Sequence, residues 1–445
     1  LGKDVFFLTG TDEHGKKIAD SAEKSGKTPK KFVDEMSKKF EESWKKLNIK
    51  YDRFIRTTDP DHMQVVQVIL SESRKKGDIY EGYYEGLYCT DCETYYTEKD
   101  LIDACCPIHK TKIEKLKEES YFFRLSKYQK YLLDLYKKKP EFILPKERRH
   151  EIINRVKEGL QDISISRTSF DWGIPLPFDK AHVCWVWFDA LPNYLTGIGY
   201  LQNKKEFKKY WPANVHLLGK DNGWFHGVIW PAILKSIEIE IPITVFIHGF
   251  LTFNSQKISK SLGNVISPNH LVDKYGSDTL RYFLIRNIPF GEDGDFSEKA
   301  LIERHNNELA NKLGNLVSRV SALAEKYGIE KTNPIDIQPS LRKVTSHFTH
   351  FELDKALNAI FSFIDQCNEY IQKNKPWETQ DKKILYQSSN AIKDISILLS
   401  PFIPETSEKI AGVFHFEISL ASLKTPLQVN KIKKSPILFK KIEHG

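Results

Sequence analysis

No apolar run in this chain approaches the ~18 residues that a membrane-spanning helix needs, so a helical membrane protein is excluded. No secretory leader pattern opens it, although it starts at Leu1 rather than Met, so a missing N-terminal piece is expected. Six cysteines in 445 residues are too few for a disulfide scaffold, and four of them crowd into 89–106. That usage predicts a reducing, cytoplasmic setting and a metal site. Fixed-period repeats and long low-complexity segments are missing. So is any Ser/His/Asp or Cys/His grouping that would suggest covalent catalysis.

What is present is ordinary globular material, 40% apolar and 28% charged, enough for two to four domains. The net charge of +8 is modest, yet KYLLDLYKKK (130–139) and VNKIKKSPILFKK (429–441) would suit an anionic partner. Each run alone is equally well explained as solvated surface. DVFFLTG (4–10) reads as a buried strand entering the turn TGTDEHG, and the helical KKFVDEMSKKFEESWKKLNI follows, an α/β pattern. Aromatic, Gly-punctuated strands, the cysteine cluster and a basic amphipathic stretch interrupt it over 75–165 as an insertion. The rhythm resumes with CWVWFDAL, NVHLLGKD, the helical FHGVIWPAILKSI and a strand at 243–250. From about 298 onward the pattern is helical, a separate domain.

Cys89-x2-Cys92, thirteen residues, then Cys106-x2-His109 is a four-ligand spacing for a closed tetrahedral Zn²⁺ site. A closed shell reads as structural, holding an insertion too poor in core to hold itself. Cys105 fits almost as well as Cys106, with twelve residues before it and x3 to His109, so the third ligand stays open. Cys184 and Cys367 read as buried packing residues. Other polar and aromatic residues fall where strands end: Asp12, Glu13 and His14; Trp187, Asp189 and Tyr194; Asp221 and His226. In a doubly wound sheet such positions face one crevice. Lys257 and Lys260 in QKISKSLGN (256–264) also follow a strand, where mobile ammonium groups can reach a phosphate chain. Downstream, Leu309, Leu313, Leu316, Val317, Val320 and Leu323 form an apolar stripe at helical spacing. Asn307, Asn311, Asn315 and Arg319 form an i, i+4 row beside it.

Taken in order, FFLTGTDEHG, YCTDCETYY…CCPIH, SISR, VWFDALPNY, LLGKD…FH…WP, KISKSLGN, NLVSR and NKPW resemble the methionyl-tRNA synthetases, class I aminoacyl-tRNA synthetases, over nearly the whole chain. The resemblance implies a Rossmann-type α/β catalytic domain with a zinc-knuckle insertion, followed by an all-α anticodon-binding bundle. The expected parts are 1–74 and 166–250 for the catalytic domain, 75–165 for the insertion, 251–297 for the KISKS loop and stem-contact region, 298–425 for the helical domain and 426–445 for the tail. The tail is expected to pack back on the catalytic domain. The resemblance further implies that Asp12 holds the amino group of methionine and that Arg167 lies near the substrates, paired with that Asp. Trp187, Tyr194 and His226 would shape the side-chain pocket, with Ala190 and Trp230 at neighbouring positions. Asp221 would contact the ribose of ATP, Lys257 and Lys260 the phosphates with Mg²⁺, and Asn315, Arg319 and Trp377 the anticodon of tRNA(Met). A ring-lined pocket suits a thioether, which offers no strong hydrogen bond and is recognised by shape and sulfur–aromatic contact, worth about 0.3–1.5 kcal/mol each. A monomer is expected.

Three departures qualify the match. The His-Ile-Gly-His signature of the family is not found; either the sequence is a fragment or the protein naturally lacks ATP chemistry, and the 445 residues are expected not to activate methionine alone. Asn222 stands where the family usually has an aliphatic pocket residue, and Leu191 where Pro is common. Two rival functions stay open: a class I synthetase for another amino acid, and an RNA-binding, zinc-stabilised relative without an ATP site.

Overall fold

The computed structural model describes every residue except 1–2, 92–93, 97–100, 254–255, 258–266, 430 and 444–445, and backbone alone at 84–86, 94–95, 116–118, 253 and 256–257. The chain divides into two compact units: residues 5–42 with 50–248, and residues 1–4, 43–49 and 249–445.

In the first unit β1 (Leu8–Thr11) runs through α1 (Lys16–Lys24) and α2 (Pro29–Lys46) to β2 (Arg53–Arg56), its parallel partner. Gly10 faces Ile55 so closely that a Cβ there would lie 1.8 Å from the Ile55 carbonyl oxygen, which only glycine tolerates. After α3 (Pro60–Lys75) come β3 (Ile79–Cys89), β4 (Thr94–Tyr96) and β5 (Glu114–Phe123), then α4 (Gln129–Lys138), β6 (Ile143–Leu144), α5 (Lys146–Lys157) and β7 (Ile163–Ser164). Strands β4-β3-β5-β7 form one antiparallel sheet. β8 (Ser166–Arg167), β9 (Pro175–Leu176) and β10 (Asp179–Cys184) form another, and the short helices α6 (Val186–Ala190) and α7 (Asn193–Thr196) follow. The unit closes with α8 (Lys204–Tyr210), β11 (Val215–Gly219), α9 (Trp230–Ser236) and β12 (Thr244–His248).

β12 is flanked by β11 and β6, both parallel to it, with Val245 opposite Ile143. One strand from within 75–165 therefore belongs to the central parallel sheet, between helices whose apolar faces feed the same core. β12 is buried on both faces, as its unbroken apolar run requires. The edge strands differ. β11 alternates, with His216 and Leu218 inside and Leu217 56% exposed. The expectation of a buried strand over 4–10 is corrected: β1 begins only at Leu8, is partly exposed, and is preceded by a 46% exposed Phe7. Among the described residues it pairs with β2, along one edge.

The second unit opens on β13 (Leu251–Phe253) and β14 (Gln256–Lys257), then α10 (Pro268–Tyr275), α11 (Ser277–Asn287) and β15 (Gly294–Phe296), the strands in the order β14-β13-β15. The rest is helical: α12 (Glu298–Arg304), α13 (Asn315–Tyr327), α14 (Gln338–Thr349), α15 (Leu353–Asn374), α16 (Pro376–Thr379), α17 (Lys382–Leu399) and α18 (Pro404–Phe414). Between α12 and α13 the chain is π-helical over His305–Gly314. The stripe Leu309, Leu313, Leu316, Val317 and Val320 is buried as expected, while Leu323 is half-buried. Across this π segment Asn307 is exposed and Asn311 half-buried, and on α13 Asn315 and Arg319 are exposed. The tail is also corrected: it binds helices of its own unit. Ser435 N–H donates to Ser321 Oγ (2.9 Å), Lys440 O meets His305 Nε2 (2.8 Å), and the Asn306 amide pairs with both backbone groups of Ile442. Among the described residues no helix is long and apolar enough to cross a membrane.

Candidate active site

The turn after β1 is fixed from several sides. Glu13 takes both nitrogens of an Arg56 fork (2.7 and 2.9 Å) and hydroxyls of Thr11 and Thr58 (2.6 Å each), and its N–H donates to Thr57 Oγ1 (2.9 Å). Trp172 Nε1 donates to Glu13 O (2.7 Å), and Gly15 N–H to Trp172 O (3.0 Å). His14 meets Asp189 at 2.7 Å. Glu13, His14 and Gly15 are thereby buried, and Asp12 is the exposed member of the turn. Preorganisation of this kind holds a carboxylate in place before a ligand arrives. Arg167, on β8, is buried and donates to Ser164 Oγ (2.8 Å) and Ser166 O (2.7 Å) beneath the Tyr88 ring.

An aromatic wall forms from α6, α7 and the turn leading into α9. Trp187 stacks on Phe225 (3.7 Å between centroids, 7° between planes), and His226 stands edge-on to Trp187 at 6.3 Å. Tyr194 packs against His226 (5.6 Å) and Trp230 (6.4 Å). Ala190 ends α6 between Trp187 and Tyr194. His226 lies in one π-helical turn, Phe225–Ile229, where a continuous α-helix is expected. Pro231 explains the irregularity: it has no N–H for the Gly227 carbonyl, which instead accepts from Tyr136 Oη (2.7 Å).

The protons on this wall are determined. Asn222 O accepts from His226 Nδ1 (3.1 Å), so in the neutral ring Nε2 is an acceptor, filled by the Tyr194 hydroxyl (2.8 Å). Burial pushes the His226 pKa down to about 4, so the ring is neutral at physiological pH. Burial likewise raises Tyr194. The hydroxyl proton is thus spent inside the wall. Asn222 contributes its backbone carbonyl, and Leu191 is buried with its N–H bonded to Trp187 O (3.2 Å), a bond no proline could make.

Asp221 follows β11 in a short 3₁₀ turn and is exposed. Its Oδ1 lies 3.0 Å from where a Cβ on Gly219 would be, so the carboxylate folds back close to the end of β11. Lys257 lies on β14 opposite Thr252, and Lys260 falls outside the described residues. Cys92 also lies outside them. Cys89, Cys106 and His109 bring ligand atoms within 4.8 Å of one another, Cys106 Sγ and His109 Nδ1 at 3.9 Å. Ligands on one tetrahedral Zn²⁺ would sit about 3.5–3.8 Å apart, so the set fits such an ion. The His109 N–H also donates to Cys106 Sγ (3.4 Å), tightening the loop around that sulfur. In the helical unit, Asn315 and Arg319 are exposed on α13, and the Arg319 guanidinium lies 5.9 Å over the Trp377 ring. Trp377 is displayed by α16, which is bracketed by left-handed Lys375 and Gln380.

Sequence reading missed Phe225, His216 and His62. His216 stacks on Tyr194 at 3.9 Å and 21°, is buried, and is pushed well below its ordinary pKa by burial. Its one signal was position, a histidine on the inward face of an alternating strand.

The chain matches the family model described as tRNA synthetases class I (M) over residues 1–114 and 96–321, and that described as anticodon-binding domain of tRNA ligase over 336–440. It is 44% identical to the methionine–tRNA ligase of Caldanaerobacter subterraneus subsp. tengcongensis and 45% to that of Clostridium tetani, in each case over 99% of this chain and 73% of the relative. Mycobacterium tuberculosis methionyl-tRNA synthetase bound by methionyl-adenylate superposes with a TM-score of 0.94 at 37% identity, covering 98% of this chain and 92% of that one. The ring-walled site, the helical unit and these likenesses lead to one assignment: the chain belongs to the methionyl-tRNA synthetase family, the class I enzymes that ligate methionine to tRNA.

Proposed function

We propose that the turn after β1 and the aromatic wall bind L-methionine, and that the observation carrying this reading is the neutral Tyr194–His226 pair beside the stacked Trp187. Asp12 receives the ammonium group, with Arg167 nearby, and the rings of Trp187, Tyr194, His226 and Trp230, with Ala190 leaving room, take the thioether. Asp221 contacts the ribose of ATP. A carboxylate oxygen of methionine attacks the α-phosphorus, the bond to the bridging oxygen breaks, and pyrophosphate leaves with Mg²⁺. The protein supplies alignment and charge neutralisation. Lys257 and Lys260 steady the phosphates as that bond breaks. The terminal adenosine hydroxyl of tRNA(Met) then attacks the anhydride carbonyl and AMP leaves. Asn315, Arg319 and Trp377 read the anticodon by stacking and edge hydrogen bonds. Cys89, Cys92, Cys106 and His109 hold a structural Zn²⁺ that ties the β3–β5 insertion together. The setting is cytoplasmic and the enzyme monomeric.

The test is a split between activities. In a chain that carries the family's His-Ile-Gly-His signature upstream of these residues, K257A and K260A should lower methionine-dependent ATP–pyrophosphate exchange by roughly 10²–10³-fold and leave tRNA binding within about twofold. Equal damage to both would contradict the roles assigned.

A further inference from the structure

Asp189 is wholly buried, and its two carboxylate oxygens are divided between two histidines from distant parts of the chain. Oδ2 meets His14 Nδ1 at 2.7 Å and Oδ1 meets His62 Nε2 at 2.9 Å. On the far side, His62 Nδ1 meets Thr196 Oγ1 at 3.2 Å, and that hydroxyl donates to Pro192 O. The chain His14–Asp189–His62–Thr196 therefore joins four elements. His14 lies two residues from Asp12 in the turn after β1. Asp189 lies on α6 between Trp187 and Ala190. His62 lies on α3, and Thr196 ends α7 two residues after Tyr194. Burial alone would push the Asp189 carboxyl up, but hydrogen bonds from His14 and His62 outweigh it and hold the group ionised below its ordinary range. Charge-assisted bonds in so dry a place are short and directional.

We propose that Asp189 is a positioning residue for amino-acid recognition: its carboxylate sets the distance and angle between the Asp12 turn, which takes the ammonium group, and the rings, which take the side chain. It touches no substrate and acts through His14 on one side and α6 on the other. Swapping its charge for an amide leaves one acceptor oxygen for two histidines and weakens the tie that sets His14 and its turn against α6, while the Trp187–Phe225 stack and the Tyr194–His226 bond stay in place. The inference rests on the reading of the cleft as a methionine site.

Two ligands separate positioning from general support: L-methionine, and 4-(methylthio)butanoate, which keeps the thioether and carboxylate but has no amino group. Equilibrium binding of each is followed by tryptophan fluorescence in the unsubstituted chain, D189N and H14Q, with urea unfolding of each variant alongside. The unsubstituted chain should prefer methionine. D189N and H14Q should lose at least tenfold in methionine affinity and bind the desamino ligand within about twofold of the unsubstituted chain. A variant that weakens both ligands equally, or neither, overturns the proposal, and H14Q decides it should D189N not fold. Failure of the unsubstituted chain to bind methionine would instead overturn the site itself.

Discussion

At the scale of single residues, the site is governed by where protons sit. His226 is neutral because burial resists a second proton and outweighs the bond from Nδ1–H to Asn222 O, which favours the charged ring; Nε2 accepts from the Tyr194 hydroxyl. A histidine whose folded pKa is depressed from 6.5 to about 4 binds fewer protons folded than unfolded between those values. Its contribution to stability is complete above pH 6.5 and is lost as the pH falls toward 4, on the order of 3 kcal/mol in all. Urea unfolding followed between pH 7.5 and 4.5 should show that slope, and H226Q should flatten it measurably; an unchanged slope in H226Q would place the titration elsewhere. Y194F leaves His226 Nε2 buried without its donor, at a cost of about 1–3 kcal/mol in the same assay.

At the scale of elements, what was legible in the sequence followed from local rules. The fully buried β12 announced itself by an unbroken apolar run, and the knuckle by its ligand spacing. The π turns at 225–229 and 305–314 did not, because apolar residues repeat there much as in an α-helix and the cause lies partly outside the segment, as with Pro231 and Tyr136. Strand β1 was overread because apolar residues do not reveal how many neighbours a strand has. The choice between Cys105 and Cys106 was not legible either, since both spacings suit zinc. Cys106 is the buried one within reach of Cys89 and His109, whereas Cys105 bridges Ile102 and Lys112 through its backbone. Metal analysis of the purified chain should find one zinc, kept by C105S and lost by C106S; the reverse would exchange the two ligands.

At the scale of the whole molecule, two recognition tasks obey different physics. The ring wall of the cleft carries no charged side chain, whereas the chain as a whole carries +8 and displays Arg319 over Trp377 on its helical unit. Affinity for tRNA should therefore fall at least tenfold between 50 and 200 mM salt as counterion release is lost, while methionine affinity changes by less than about twofold. R319A and W377A should weaken tRNA binding by at least about tenfold, as expected for the loss of a stacking or charged contact, and leave methionine binding unaltered. His216, Phe225 and His62 became visible only at this scale, because each acts through a residue far away in sequence. The most direct test of the central claim is a tryptophan-fluorescence titration of the chain with L-methionine, L-leucine, L-isoleucine and L-cysteine, repeated with W187A. The account predicts saturable binding of methionine alone, weakened at least tenfold by W187A; equal response to leucine or cysteine, or methionine binding indifferent to Trp187, would contradict it.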